Sequence, residues 1–91
     1  MARIVVLGGG ESGVGSAVLA KVKGFDVFLS DRGQISPEYA DTLKKWDIPF
    51  EEGGHSEELI MNADEVIKSP GIPSEAPLIV KLAEKGIHII S

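Results

Sequence analysis

The 91-residue sequence contains no cysteine, which excludes a disulfide framework and cysteine-ligated zinc and permits a reducing compartment. Histidine occurs only at positions 55 and 88, with no partner at metal-ligand spacing. His88 falls inside an apolar run and reads as structural; His55 follows two glycines and reads as solvated. A basic excess is also missing. Nine Lys+Arg stand against fourteen Asp+Glu, a net charge of -5, which argues against nucleic acid or an anionic membrane as partner. No apolar run approaches the ~20 residues of a membrane span, and no signal-peptide pattern opens the chain, so the expected compartment is the cytoplasm. The sequence has no G-x-x-x-x-G-K-[ST] loop, nucleophile elbow or triad. Glu51-Glu52 and Glu57-Glu58 read as exposed charge. No catalytic constellation is expected.

Glycine is abundant, with 11 residues, and its placement is specific. Gly8, Gly10 and Gly13 fall at G-x-G-x-x-G spacing directly after the β-branched run Arg3 to Leu7. The first glycine lets the chain leave a strand through a tight turn. The second keeps Cβ away from an approaching phosphate, and the third lets the next helix pack on the strand. The N–H groups of that helix's first turn lack intrahelical partners, and its dipole favours an anion. The same turn without a ligand is the plainer reading.

Helical periodicity runs from Val14 to Val22, with Gly24 past its end. Phe25 to Ser30 reads as a second strand. Ser36-Pro37 starts a helix through Trp46 by N-capping and proline at the first helical position. Ile48 to Glu51 is predicted as a short edge strand, and Ser56 to Met61 as a short helix capped by Ser56. Ala63 to Lys68 is a fourth strand, Ala76 to Lys85 a fourth helix closed by Gly86, and Ile87 to Ile90 a fifth strand. Strict β-α alternation predicts one α/β domain over residues 1–91. It would be a Rossmann-like, doubly wound, five-stranded parallel sheet of order 3-2-1-4-5 with helices on both faces. Ligands of such sheets bind beyond the strand C-termini at the switch point, here between the first and fourth strands.

Three loops meet there. Asp31 lies about 20 residues past the glycine turn, where it can accept from a ribose hydroxyl or a uracil N–H, or serve only as a turn residue. Arg32 offers a flat guanidinium for a base or phosphate, or is merely solvated. Ser12 can direct its hydroxyl and N–H to a phosphate or cap the helix, whereas Glu11 must turn its carboxylate to solvent and leave only its N–H. In Lys68-Ser69-Pro70-Gly71-Ile72-Pro73 two prolines fix φ around Gly71. That makes either a stiff connector or a loop that presses a main-chain N–H onto a ligand.

Gly8 to Gly13, Ser30-Asp31-Arg32-Gly33 and Lys68 to Pro73, in this order and spacing, resemble the N-terminal domain of the Mur ligases over essentially the whole chain. The resemblance is greatest to members that add D-glutamate to UDP-N-acetylmuramoyl-L-alanine. It implies binding of the UDP end of that substrate. The backbone around Gly10, Glu11, Ser12 and Gly13 would meet the diphosphate, Asp31 would hold the uracil, Arg32 would lie against it, and Gly71 would close the site. It further implies no cofactor in this domain, since ATP, magnesium and D-glutamate belong to a central and a C-terminal domain. The family's glycine-lysine loop for ATP is missing, so the chain reads as a domain excised from a longer enzyme. An NAD(H)-binding domain using Asp31 on a ribose is the alternative from the glycine turn alone. A ligand-free module dimerising through a sheet edge is a third.

Overall fold

The computed structural model describes all 91 residues as nine alternating elements. They are β1 (Arg3–Leu7), α1 (Glu11–Val22), β2 (Asp26–Asp31), α2 (Pro37–Lys45), β3 (Phe50–Glu52), α3 (Glu57–Ile60), β4 (Glu65–Lys68), α4 (Pro77–Glu84) and β5 (His88–Ile90). All strand pairs are parallel, in the order β3-β2-β1-β4-β5, as the alternation predicts. The switch point falls between β1 and β4, where the chain crosses from one half of the sheet to the other.

The central strands are apolar on both faces because both faces are covered. On one side Ile4, Val6, Val27 and Leu29 pack with Val14, Ala17 and Ala20 of α1 and Leu43 of α2. On the other, Val5, Leu7, Phe28 and Val66 pack with Ile60, Ile79 and Leu82 from α3 and α4. At the far end Arg3 binds Asp26, Asn62 and the Leu59 carbonyl while lying over the Phe28 ring. That end is tied shut, leaving the strand C-termini as the open end.

Three local expectations are corrected. α1 begins at Glu11, not Val14, with Gly10 as N-cap, so Glu11, Ser12 and Gly13 form its first turn and Ser12 does not cap it. β3 begins at Phe50, not Ile48. Ile48 is buried, but its N–H closes the end of α2 on the Leu43 carbonyl, and Pro49 has no N–H to give a ladder. Ser56 precedes α3 without capping it; its hydroxyl goes to Glu51 Oε1 at 2.6 Å and its N–H to Glu51 Oε2 at 2.8 Å.

Candidate functional site

Loops at the strand C-termini enclose a cleft of about 750 Å³, within the size range of small-molecule sites. One wall is the turn Gly8 to Gly10, a second is Asp31 to Gly33 with His55, and a third is Ser69 to Pro73 leading into the start of α4. Of the site residues expected from sequence, Gly10, Asp31, Arg32 and Gly71 line this cleft. Glu11, Ser12 and Gly13 lie just behind Gly10 in the first turn of α1.

The glycine turn is fixed by close approach. A Cβ on Gly13 would stand 1.9 Å from the Gly8 carbonyl oxygen, so only glycine lets α1 start against the end of β1. A Cβ on Gly10, by contrast, would meet no protein atom within 4 Å. Nothing in the chain itself occupies that space, and the backbone there is open. The first helical N–H to find a main-chain acceptor is that of Val14, on Gly10, so the N–H groups of Glu11, Ser12 and Gly13 form the positive end of α1.

Asp31 does more than border the cleft. Its Oδ2 accepts from the Gly9 N–H at 2.7 Å and its Oδ1 from the Gly33 N–H at 2.8 Å. One carboxylate thereby ties the glycine turn to the end of β2, and each oxygen keeps a lone pair for a ligand. Arg32 beside it is exposed and free to move onto a ligand. On the opposite wall Ser69 organises its own loop, accepting the Gly71 N–H on Oγ at 3.3 Å and the Ile72 N–H on its carbonyl at 3.0 Å. The buried Lys68 donates Nζ to the Ile72 carbonyl at 2.9 Å, bracing this loop from beneath.

Sequence reading missed a polar group under the second wall. Ser30 is fully buried, and its Oγ lies 2.8 Å from Glu51 Oε2, 2.7 Å from His55 Nδ1 and 3.3 Å from the Gly54 carbonyl. His55 is therefore a half-buried cleft residue rather than a solvated one, and Glu51 is tied down rather than free. Glu52 is exposed as expected, but its Oε1 accepts the Ile35 N–H at 2.8 Å. The one available signal was the parallel pairing of β2 and β3, which sets Ser30 beside Glu51. Burial raises the Glu51 carboxyl, but hydrogen bonds from Ser56 and Ser30 and the neighbouring His55 outweigh it and hold the group below its ordinary 4.5. Burial lowers His55 below its ordinary 6.5, against the upward pull of Glu51 and Asp31 and with a downward push from Arg32.

Both shifts have the same consequence in acid. A group with a lowered folded pKa stays unprotonated while the unfolded chain already takes a proton, the imidazole remaining neutral and the carboxylate charged. Stability is therefore expected to fall as pH drops below about 6.5 through His55, and again below about 4.5 through Glu51. Urea unfolding at stepped pH checks this, and His55→Gln should remove the first decline. A wild-type profile flat from pH 7 to 5 would contradict it.

The fold and cleft define a doubly wound α/β domain whose strand ends present a helix N-terminus, an acid and a guanidinium to one ligand space. Comparison with known proteins narrows that class. The family model for the Mur ligase MurD-like N-terminal domain matches residues 2–91. The chain is 63% identical over 91 residues to the UDP-N-acetylmuramoylalanine–D-glutamate ligase of Bacteroides thetaiotaomicron. It is 57% identical over 89 residues to that of Christiangramia forsetii. These alignments cover 100% and 98% of this chain but 20% of each relative, so the chain spans about one-fifth of their length. Among solved structures, the UDP-N-acetylmuramate–alanine ligase of Thermotoga maritima superposes with a TM-score of 0.81 at 27% identity, covering 99% of this chain and 20% of that one. The chain belongs to the MurD-like N-terminal domain family of the Mur ligases.

Proposed function

We propose that the cleft binds the UDP end of UDP-N-acetylmuramoyl-L-alanine, as the N-terminal domain of an ATP-dependent, D-glutamate-adding ligase of peptidoglycan precursor synthesis. The observation that carries this reading is the convergence of the α1 N-terminus, Asp31-Arg32 and the Gly71 loop on one cleft at the sheet's switch point. A nucleoside diphosphate needs those three things. The N–H groups of Glu11 and Ser12 face the diphosphate, with the bare backbone at Gly10 allowing its approach. The second lone pairs of the Asp31 carboxylate accept from the uracil imide. Arg32 closes over the base as a flat cation, and Gly71 brings the opposite main chain within reach.

Binding and orientation are the whole task of these residues. ATP, magnesium, D-glutamate and the acyl-phosphate chemistry of such a ligase would be handled by segments beyond these 91 residues. No helix of the structure is long and apolar enough to cross a membrane, and the proposed setting is the cytoplasm, where the nucleotide precursor is made.

Titrating the isotopically labelled chain with UDP should move the amide signals of Gly10 to Gly13, Asp31 and Gly71 together, with an affinity near millimolar because the muramoyl and peptide contacts are missing. Unmoved signals at those positions at millimolar UDP would overturn the proposal. Selective thermal stabilisation by NAD(H) over UDP would replace it with the dinucleotide reading.

A further inference from the structure

The group beneath the second wall has a proton arrangement that can be counted. Ser30 Oγ carries one proton and stands within hydrogen-bond distance of three atoms: Glu51 Oε2, the Gly54 carbonyl and His55 Nδ1. The first two are acceptors only. If Ser30 donated to His55, its oxygen would face Glu51 Oε2 at 2.8 Å with no proton between them. Glu51 is held ionised by the bonds from Ser56. The arrangement that gives every short contact a proton has Ser30 donating to Glu51 and His55 donating Nδ1–H to Ser30.

Neutral imidazole has one N–H, so Nδ1–H leaves Nε2 bare. Ser30 is wholly buried and engages the inner edge of the ring, while His55 itself lines the cleft. Nε2 makes no hydrogen bond within the chain, and as the bare nitrogen it is an acceptor. We propose that His55 is a specificity-determining residue of this cleft, locked by Ser30 and Glu51 as the Nδ1–H tautomer so that Nε2 accepts a hydrogen bond from the bound nucleotide. The donor is a ribose hydroxyl, because the single imide N–H of the base goes to Asp31. The ligand identity rests on the UDP reading above; the tautomer does not.

The charged groups around the ring fix the pH behaviour. Glu51 faces it from β3, and Asp31 and Arg32 from the end of β2. The opposite wall contributes only uncharged lining residues, among them Ser69, Gly71, Ile72 and Pro73. At neutral pH the ring is uncharged and accepts; on protonation Nε2 becomes a donor and the bond donated by the hydroxyl is lost.

Two measurements on the 91-residue chain test this. In long-range nitrogen–proton spectra of a His88→Gln variant, which leaves one histidine, His55 should show Nδ1 protonated and Nε2 bare at neutral pH. Ser30→Ala should shift the ring toward Nε2–H. An Nε2–H ring in the otherwise native chain overturns the proposal. The second measurement uses UDP-N-acetylglucosamine, whose diphosphate diester has no group titrating between pH 5 and 8. Affinity should fall about tenfold as His55 protonates, roughly the worth of one hydrogen bond. His55→Phe should bind about tenfold more weakly at neutral pH, with no pH dependence in that range. Affinity that rises in acid, or stays flat in the wild-type chain, overturns the acceptor role. 2′-Deoxyuridine and 3′-deoxyuridine diphosphates separate the two hydroxyls: the one whose loss weakens wild type but not His55→Phe is the partner, and no loss with either overturns the contact. If UDP-N-acetylglucosamine fails to bind wild type at any pH, the UDP reading falls and takes the contact with it. The spectrum reports the tautomer independently.

Discussion

Gly13→Ala is expected to destabilise the domain by about 3 kcal/mol or more, at the upper end of what overpacking a close contact costs. The new methyl carbon would sit 1.9 Å from the Gly8 carbonyl oxygen and 2.9 Å from its carbon. Both are backbone atoms, so no rotamer change can relieve the clash. The end of β1 or the start of α1 must move, and these carry the floor of the cleft. A domain of this size has roughly 5–14 kcal/mol of stability to lose. Urea unfolding of Gly13→Ala beside Gly15→Ala checks the mechanism. Gly15 lies in the same helix with nothing within 4 Å of its Cβ position, and alanine there should stabilise by about 0.5–1 kcal/mol. Similar stability in the two variants would refute the close-approach argument. Gly10→Ala supplies the complementary case. It should cost under about 1 kcal/mol as an N-cap change yet weaken UDP, because its methyl would stand in open cleft.

Asp31→Ala is expected to cost about 2–3 kcal/mol, since a carboxylate accepting N–H groups at 2.7 and 2.8 Å contributes more than neutral bonds do. On a domain of this length that lowers Tm by roughly 10 °C or more. Gly9 is buried and keeps an unpaired N–H, whereas Gly33 is exposed and can turn to water. The damage should therefore concentrate at the glycine turn. Asp31→Asn should fall between wild type and alanine, because its amide group presents N–H to one of the two N–H donors. UDP affinity should drop at least tenfold in both. Hydrogen exchange at Gly9 gives the local readout; unchanged protection in Asp31→Ala would show that the carboxylate does not fix the turn.

These two positions also show how much could be read in advance. Gly13 was legible because only a few local geometries join a strand to a helix, and each demands glycine at set places. Asp31 was legible as a site residue by its distance from that turn. Its bond to Gly9 was not, because the two are 22 residues apart in sequence and meet only across the β1–β2 pair. The edge strand was displaced by two residues for a related reason. Ile48 looks like strand by its apolar character, but its burial comes from plugging the end of α2, and Pro49 cannot take a ladder position.

By itself the sequence determined the parallel sheet, its 3-2-1-4-5 order and the three loops that surround the cleft. Those follow from periodicity, turn chemistry and crossover handedness, which act over a few residues at a time. The tertiary structure alone decided which polar groups share protons. Ser30, Glu51 and His55 come from a strand interior, an acidic pair and a glycine turn, and none announces the others. Pairing β2 with β3 in the register Ser30 to Glu51 buries the hydroxyl against the carboxylate, and the turn after β3 then folds the imidazole onto it. Hydrogen-bond partners are set by distance in space, and register sets that distance.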